Sequence, residues 1–242
     1  MRLIRLGSIA IPFLPPGALN LDGPPVTPRP SATVLLVRGG EPWELLLMRR
    51  PGGADFAPGA YVFPGGTVHA EDSSWGDEIA GAAIRELFEE VGVLLARAGG
   101  RFVRDRDCEL VRARLAAGDS FVDALRANGL EPAVDRLVLL TRWVTPAMLS
   151  RRYDARFYIA RLPAGQTVRA QPEEVTDWLW ASPERALSEP AITLVYATRK
   201  VLESVARDAD VNSLFRRVRR LGEVPVVEPR MIQTDSGWEI VH

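Results

Sequence analysis

The chain has 242 residues, of which 47% are apolar and 25% charged, with a formal net charge of −1. That length and composition fit a soluble globular protein with a substantial core, built as one large domain or two small ones. The charge balance leaves no electrostatic footprint for nucleic acid, no apolar run is long enough to span a membrane, and a lone cysteine, Cys108, excludes an intramolecular disulfide.

Residues 1–30 are rich in proline and read as an extended arm. Leu3, Ile4, Ile9, Ile11, Phe13 and Leu14 are too apolar for a solvated linker, so the arm is expected to pack on the body or on a second subunit of a homodimer. Arg2 and Arg5 precede an apolar stretch, but Pro12, Pro15 and Pro16 interrupt it and no A-x-A site follows, which favours a cytoplasmic protein over a secreted one. Residues 31–242 are expected to form a single domain. Ala32 to Val37 and Trp43 to Met48 read as strands of a hairpin around Gly39-Gly40-Glu41-Pro42. A Pro/Gly loop follows, then a short strand from Ala60 to Phe63 that enters Pro64-Gly65-Gly66. A helix is predicted from near Asp77, a plausible N-cap, to near Gly92, which suits a left-handed C-cap. Residues 99–135 read as a mainly helical insertion, periodic near Cys108–Ala117 and Phe121–Ala127. Strands are expected at Leu137–Val144, Arg156–Arg161 and Thr176–Trp180. Ser182 and Pro183 open a helix, and amphipathic helices at Leu194–Val205 and Val211–Leu221 belong to a C-terminal extension from about residue 190. Helices on both sides of the strands give an α/β fold, an α/β/α sandwich on a mixed sheet. Arg216, Arg217, Arg219 and Arg220 read as a solvated helix face.

The predicted helix from Asp77 carries Glu86, Glu89 and Glu90 on one face, at i, i+3 and i+4. Like charges so spaced cost roughly 0.2–0.5 kcal/mol per pair in an isolated helix. A hard divalent cation, Mg2+ or Mn2+, explains such a cluster, because these ions take carboxylate oxygens. Arg85 and Glu89 are i, i+4 neighbours and can pair, while Gly65 and Gly66 allow close approach of backbone to metal and phosphate. Cys108 has no evident His partner, and His69 and His242 cannot build a zinc site of the usual kind.

From Arg85 to Val93 the chain matches every fixed position of R-E-U-x-E-E-x-G-U, with U aliphatic. Here it resembles the Nudix hydrolases. The first half of that signature departs: five residues separate Gly66 from Asp72, where the family has Glu, and twelve residues rather than seven separate Asp72 from Arg85. The surplus falls in Ser73-Ser74-Trp75-Gly76-Asp77, read as a longer loop, and the role of Asp72 stays open. The resemblance implies the α/β/α Nudix fold over roughly residues 31–188. It implies that Glu89, Glu90 and the Gly65 carbonyl ligate metal, and that Glu86 acts as base or further ligand.

Leu46 to Arg50, Phe56 to Gly66, Arg142 to Pro146 and Arg151 to Phe157 are similar to the Nudix subgroup related to coenzyme A diphosphatases. That subgroup's glycine-containing pattern matches from Gly59 to Gly66, but its internal Arg is missing near Ala54. The resemblance implies a pyrophosphohydrolase acting on a nucleoside diphosphate linked to another moiety, with coenzyme A as the lead. ADP-ribose, NADH, or non-catalytic ligand binding are the alternatives. Arg49 and Arg50, beside the glycine turn with Gly66, are candidates for substrate phosphate. Glu86 and one of Glu173 and Glu174, ahead of a strand, are candidates for proton acceptor.

Overall fold

The computed structural model describes residues 17–54, 57–234 and 237–241. Strands β1 (Arg29–Arg38), β2 (Glu44–Arg49), β3 (Tyr61–Val62) and β4 (Gly65–Thr67) precede a 3-10 helix (Ala70–Trp75) and helix α1 (Glu78–Val91). Then come β5 (Ala96–Ala98), β6 (Arg101–Phe102), α2 (Asp105–Ala116), α3 (Phe121–Ala127) and β7 (Glu131–Pro132). Strands β8 (Val138–Val144), β9 (Tyr153–Arg161) and β10 (Asp177–Ala181) follow. Helices α4 (Pro183–Ser188), α5 (Tyr196–Val205) and α6 (Val211–Arg219) and strands β11 (Val226–Val227), β12 (Arg230–Thr234) and β13 (Gly237–Val241) complete the order.

The main sheet runs β10-β2-β1-β9-β8-β11, with β3 added to β2 and β4 to β1. It is mixed: β1–β9 and β8–β11 are parallel, and the other pairs are antiparallel. Both faces are covered, which is why β1 and β2 read as unbroken apolar runs rather than alternating ones. Leu46 and Met48 of β2 pack with Ile84, Leu87 and Phe88 of α1 on one face. Leu45 and Leu47 pack with Val201, Leu202 and Leu214 of α5 and α6 on the other. These two layers of helix about one sheet are the expected sandwich.

One irregularity in the sheet sets up the site. The last residues of β1 pair with β2, at Val37 with Leu45, whereas its first half pairs with β4, at Ser31 with Thr67. The end of β2 pairs instead with β3, at Met48 with Val62. Strands β3 and β4 therefore wedge between β1 and β2. Gly65 lies at the wedge with φ +155°, and a Cβ there would lie 2.2 Å from the Ala32 carbonyl oxygen. No residue but glycine brings the turn this close to β1.

Several boundaries differ from the sequence reading. The stretch read as a loop at 73–77 is partly the 3-10 helix, and Trp75 meets Phe121 edge-on at 5.7 Å. The insertion holds the two expected helices, but β5, β6 and β7 form a small three-stranded sheet beneath them. Strands of two or three residues are too short to show a period. The part of the arm at 17–28 runs along residues 145–152: Asn20 N donates to Met148 O at 2.8 Å, and Arg152 Nη1 to Val26 O at 2.9 Å. Leu3 to Leu14, Phe56 and His242 lie outside the described residues. Among the described residues no helix is long and apolar enough to cross a membrane.

Candidate active site

Helix α1 is held at both ends. The Asp77 side chain accepts from Ile79 N and Ala80 N, and Gly92 adopts φ +72° while its N–H donates to Phe88 O. Its apolar residues Ala80, Ala83, Ile84, Leu87 and Val91 are buried in the core. With that face fixed, the carboxylates are turned towards the β3–β4 wedge. The chain after β9 pins the end of the helix: Arg169 N donates to Val91 O, and Gln171 N to Glu90 O, each at 2.9 Å. That loop continues into Glu174, so the same contacts that satisfy the terminal carbonyls of α1 bring a further acid to its motif.

Arg85 is the organising cation, with its side chain 1% exposed. Its Nε and Nη2 donate to the two oxygens of Asp72 at 3.0 and 3.1 Å, a bidentate fork. Nη1 donates to Glu86 Oε1 and Glu89 Oε2, both at 2.9 Å, and Nη2 also to Thr67 O at 2.9 Å. Burial by itself would favour the neutral guanidine. The bond to Asp72 and the charges of Glu86 and Glu89 outweigh it and raise the Arg85 pKa. Asp72 is fully buried and also accepts from His69 N at 2.7 Å. The 3-10 turn thus bridges the longer spacing and returns the carboxylate to Arg85. Sequence reading left this role open. The available signal was a carboxylate at the sixth position after Gly66.

The three glutamates sit at graded depth. Glu90 is buried and its Oε2 accepts from Gly65 N at 2.7 Å. Burial, then the charge of Glu86, push its pKa well above the ordinary carboxylate value. Glu86 and Glu89 are raised as well, by burial first, and Arg85 holds them down. A Cβ on Gly66 would fall 2.4 Å from Glu86 Oε1, so the second glycine clears space for this carboxylate. Glu174 is exposed, and its charge raises the pKa values of all three glutamates. The paired arginines part company: Arg50 acts electrostatically on Glu90, whereas Arg49 donates to Gly59 O at 3.1 Å and pairs across the sheet with Tyr61 and Asp177. Tyr61 belongs to the α5–α6 face and donates to Asp177 Oδ2 at 2.7 Å. Arg49 is the last residue of β2, and Arg50 follows it outside the strand. Cys108 is buried and its thiol pKa is pushed up to about 11 by burial, which suits packing rather than nucleophilic attack.

Five carboxylates, Asp72, Glu86, Glu89, Glu90 and Glu174, share this region with two guanidiniums, Arg85 and Arg50. Among the described residues no three His, Cys or acidic side chains converge on one point as they stand. One oxygen each of Glu86 and Glu89 is on Arg85, and one of Glu90 is on the Gly65 amide. Their other oxygens take no part in these bonds, and terminal carboxylate torsions rotate easily. The surplus of desolvated negative charge and the all-oxygen donor set fit a hard divalent cation.

The profile of the NUDT19 Nudix domain matches residues 78–196. The chain is 30% identical over 146 residues to putative nudix hydrolase 7 of Caenorhabditis elegans, covering 60% of this chain and 48% of that protein. It is 27% identical over 208 residues to a Xenopus laevis protein named acyl-coenzyme A diphosphatase NUDT19, covering 61% of this chain and 54% of the other. The chain thus spans about half the length of these curated relatives. A NUDIX hydrolase from Alicyclobacillus acidocaldarius has the same fold, with a TM-score of 0.68 at 24% identity over 81% of this chain and 97% of that one. With the Arg85–Val93 motif on a buried helix against a glycine wedge, and with these relatives, the chain belongs to the Nudix hydrolase family.

Proposed function

We propose that the protein is a divalent-metal-dependent pyrophosphohydrolase that cleaves coenzyme A or its acyl derivatives at the diphosphate. The observation that carries the reading is the carboxylate face of α1, kept whole and braced by Arg85 against the glycine wedge. A non-catalytic ligand binder has no need of three mutually repelling acids on one helix face. The coenzyme A assignment is supported by the Gly59–Gly66 pattern and by the name of the Xenopus relative.

When bound, Mg2+ or Mn2+ offsets the charge of the diphosphate and acidifies water at the site. Glu86, Glu89 and Glu90 hold the cation, together with the carbonyl of Gly65. Gly66 leaves room for the diphosphate beside Glu86, and Arg50 supplies a guanidinium to it. Glu174 takes the proton of the attacking water. It is exposed at the rim, within electrostatic reach of the three ligands, and Glu86 shares one oxygen with Arg85. The water oxygen bonds to phosphorus as the bridging P–O bond breaks, and the departing phosphate takes the electron pair. Arg85 makes all its contacts inside the protein and serves to aim Glu86 and Glu89.

The experiment is a comparison of kcat/KM for coenzyme A, dephospho-coenzyme A and ADP-ribose, with the products identified by mass. Coenzyme A is expected to yield 4′-phosphopantetheine and 3′,5′-ADP, and to exceed ADP-ribose by at least about tenfold, or 1.4 kcal/mol of transition-state discrimination. A comparable preference for ADP-ribose would replace coenzyme A as the substrate.

A further inference from the structure

A cavity of about 360 Å³ lies far from the carboxylates, between the end of β9 and α6, lined by Arg161, Asn212, Phe215, Arg216, Arg219 and Arg220. Phe157 and Ile159 of β9 and Phe215 of α6 belong to the face of the sheet opposite α1. Along the strands, Arg161 is level with Val37, whereas the glycine wedge is level with Ser31 to Thr33. The cavity is therefore at the other end and on the other face of the sheet.

Its charges are only partly compensated: the charge of Asp210 acts on Arg161. Among the described residues, none of Arg161, Arg216, Arg219 and Arg220 makes an ion pair with a carboxylate, whereas Arg217 on the same helix is paired with Asp208 at 2.6 Å. Arg161 Nη2 donates to Asn212 Oδ1 at 2.7 Å, a neutral partner. The guanidiniums of Arg161 and Arg219 both cover the Phe215 ring, at 4.8 and 5.5 Å from its centroid. Two like charges thus stack on one ring, although both arginines, like Arg216 and Arg220, stay exposed to solvent. Burial, and then the charge of Arg219, push the Arg161 pKa down, against the opposing charge of Asp210. The dipole at the end of α6 favours cations, by about 0.3–1 kcal/mol each within the last turn. It does not reach Arg161, which comes from the sheet. A second cavity of about 230 Å³ shares Arg161, Phe215 and Arg219 and continues onto Phe102, Leu162 and Pro163, an annex that is largely apolar but for Arg136, whose guanidinium lies 4.6 Å from the Phe102 ring centroid. The first cavity is within the usual size of a small-ligand site, roughly 300–1,000 Å³.

We propose that this cluster is a second ligand site, for a small molecule that carries two or more phosphate groups joined to a planar apolar group, as a nucleotide does. Arginine forks pair with phosphate oxygens in two-point fashion, and the annex receives the apolar part. Occupancy at this site does not depend on the metal or on the carboxylates of α1.

The test is titration calorimetry on the full chain with chelator present, using ADP and inorganic pyrophosphate as probes. One ADP is expected to bind per chain, at least threefold more tightly than pyrophosphate. Arg219→Ser combined with Arg220→Ser should weaken ADP at least tenfold, and Arg216→Gln alone should weaken it less. Glu90→Gln should bind as the wild type does. Three results would overturn the proposal: no saturable binding, undiminished ADP affinity in the double variant, or full displacement by sulfate at matched ionic strength, which marks a diffuse counterion patch. A single-stranded oligonucleotide binding far more tightly than ADP would also overturn it, in favour of a nucleic-acid face.

Discussion

Replacing Glu90 by Gln is expected to cut the rate of diphosphate hydrolysis by at least about a hundredfold while leaving the fold intact, as befits loss of a metal or acid–base group. Gln has nearly the same shape, and its carbonyl can still accept from Gly65 N, so the hydrogen bond now made at 2.7 Å survives. What disappears is a buried negative charge that Glu86 and Glu174 repel. Thermal unfolding of the variant should therefore come at the same temperature as the wild type, or higher. Activity within about threefold of wild type, with the cation saturating, would take Glu90 out of the chemistry. A large fall in melting temperature would instead assign it a structural role.

The opposite pattern is expected at Asp72. Its side chain and that of Arg85 are 0% and 1% exposed, so Asp72→Ala leaves half of the Arg85 fork without an acceptor in the core. Breaking a buried pair from one side costs about 3–5 kcal/mol. For a protein of this size, that lowers the melting temperature by roughly 6–20 °C. Calorimetry or circular dichroism would measure it. A loss below about 0.5 kcal/mol, the range of an ordinary surface substitution, would show that Glu86, Glu89 and the Thr67 carbonyl suffice to hold Arg85. Hydrolysis should fall too, because Arg85 aims two of the three glutamates.

The contrast between these residues bears on what the sequence could reveal. The α1 helix was legible almost to the residue, because its cap at Asp77, its stop at Gly92 and its acidic face are all local signals. Helix α3, at Phe121–Ala127, was equally plain. The partner of Arg85 was not, since a 3-10 turn shortens in space a separation that is thirteen residues in sequence. The sequence offers Glu174 together with Glu173 as a candidate, but the backbone bonds from Arg169 and Gln171 to the end of α1 that bring this loop to the helix are long-range contacts with no local mark. The division of labour between Arg49 and Arg50 follows from the end of β2, which Arg49 closes and Arg50 leaves. The arginines of α6 read as a solvated helix face, and Arg216, Arg219 and Arg220 are indeed exposed. What the sequence could not show is that Arg161, from a distant segment, stands beside them across an open groove.

The most direct measurement is steady-state hydrolysis of coenzyme A by the purified chain, first stripped with a chelator and then supplied with Mg2+ or Mn2+. No 4′-phosphopantetheine should form in chelator, and either ion should restore its release with 3′,5′-ADP as co-product. Undiminished turnover after exhaustive chelation would contradict the account, as would cleavage at any bond other than the diphosphate.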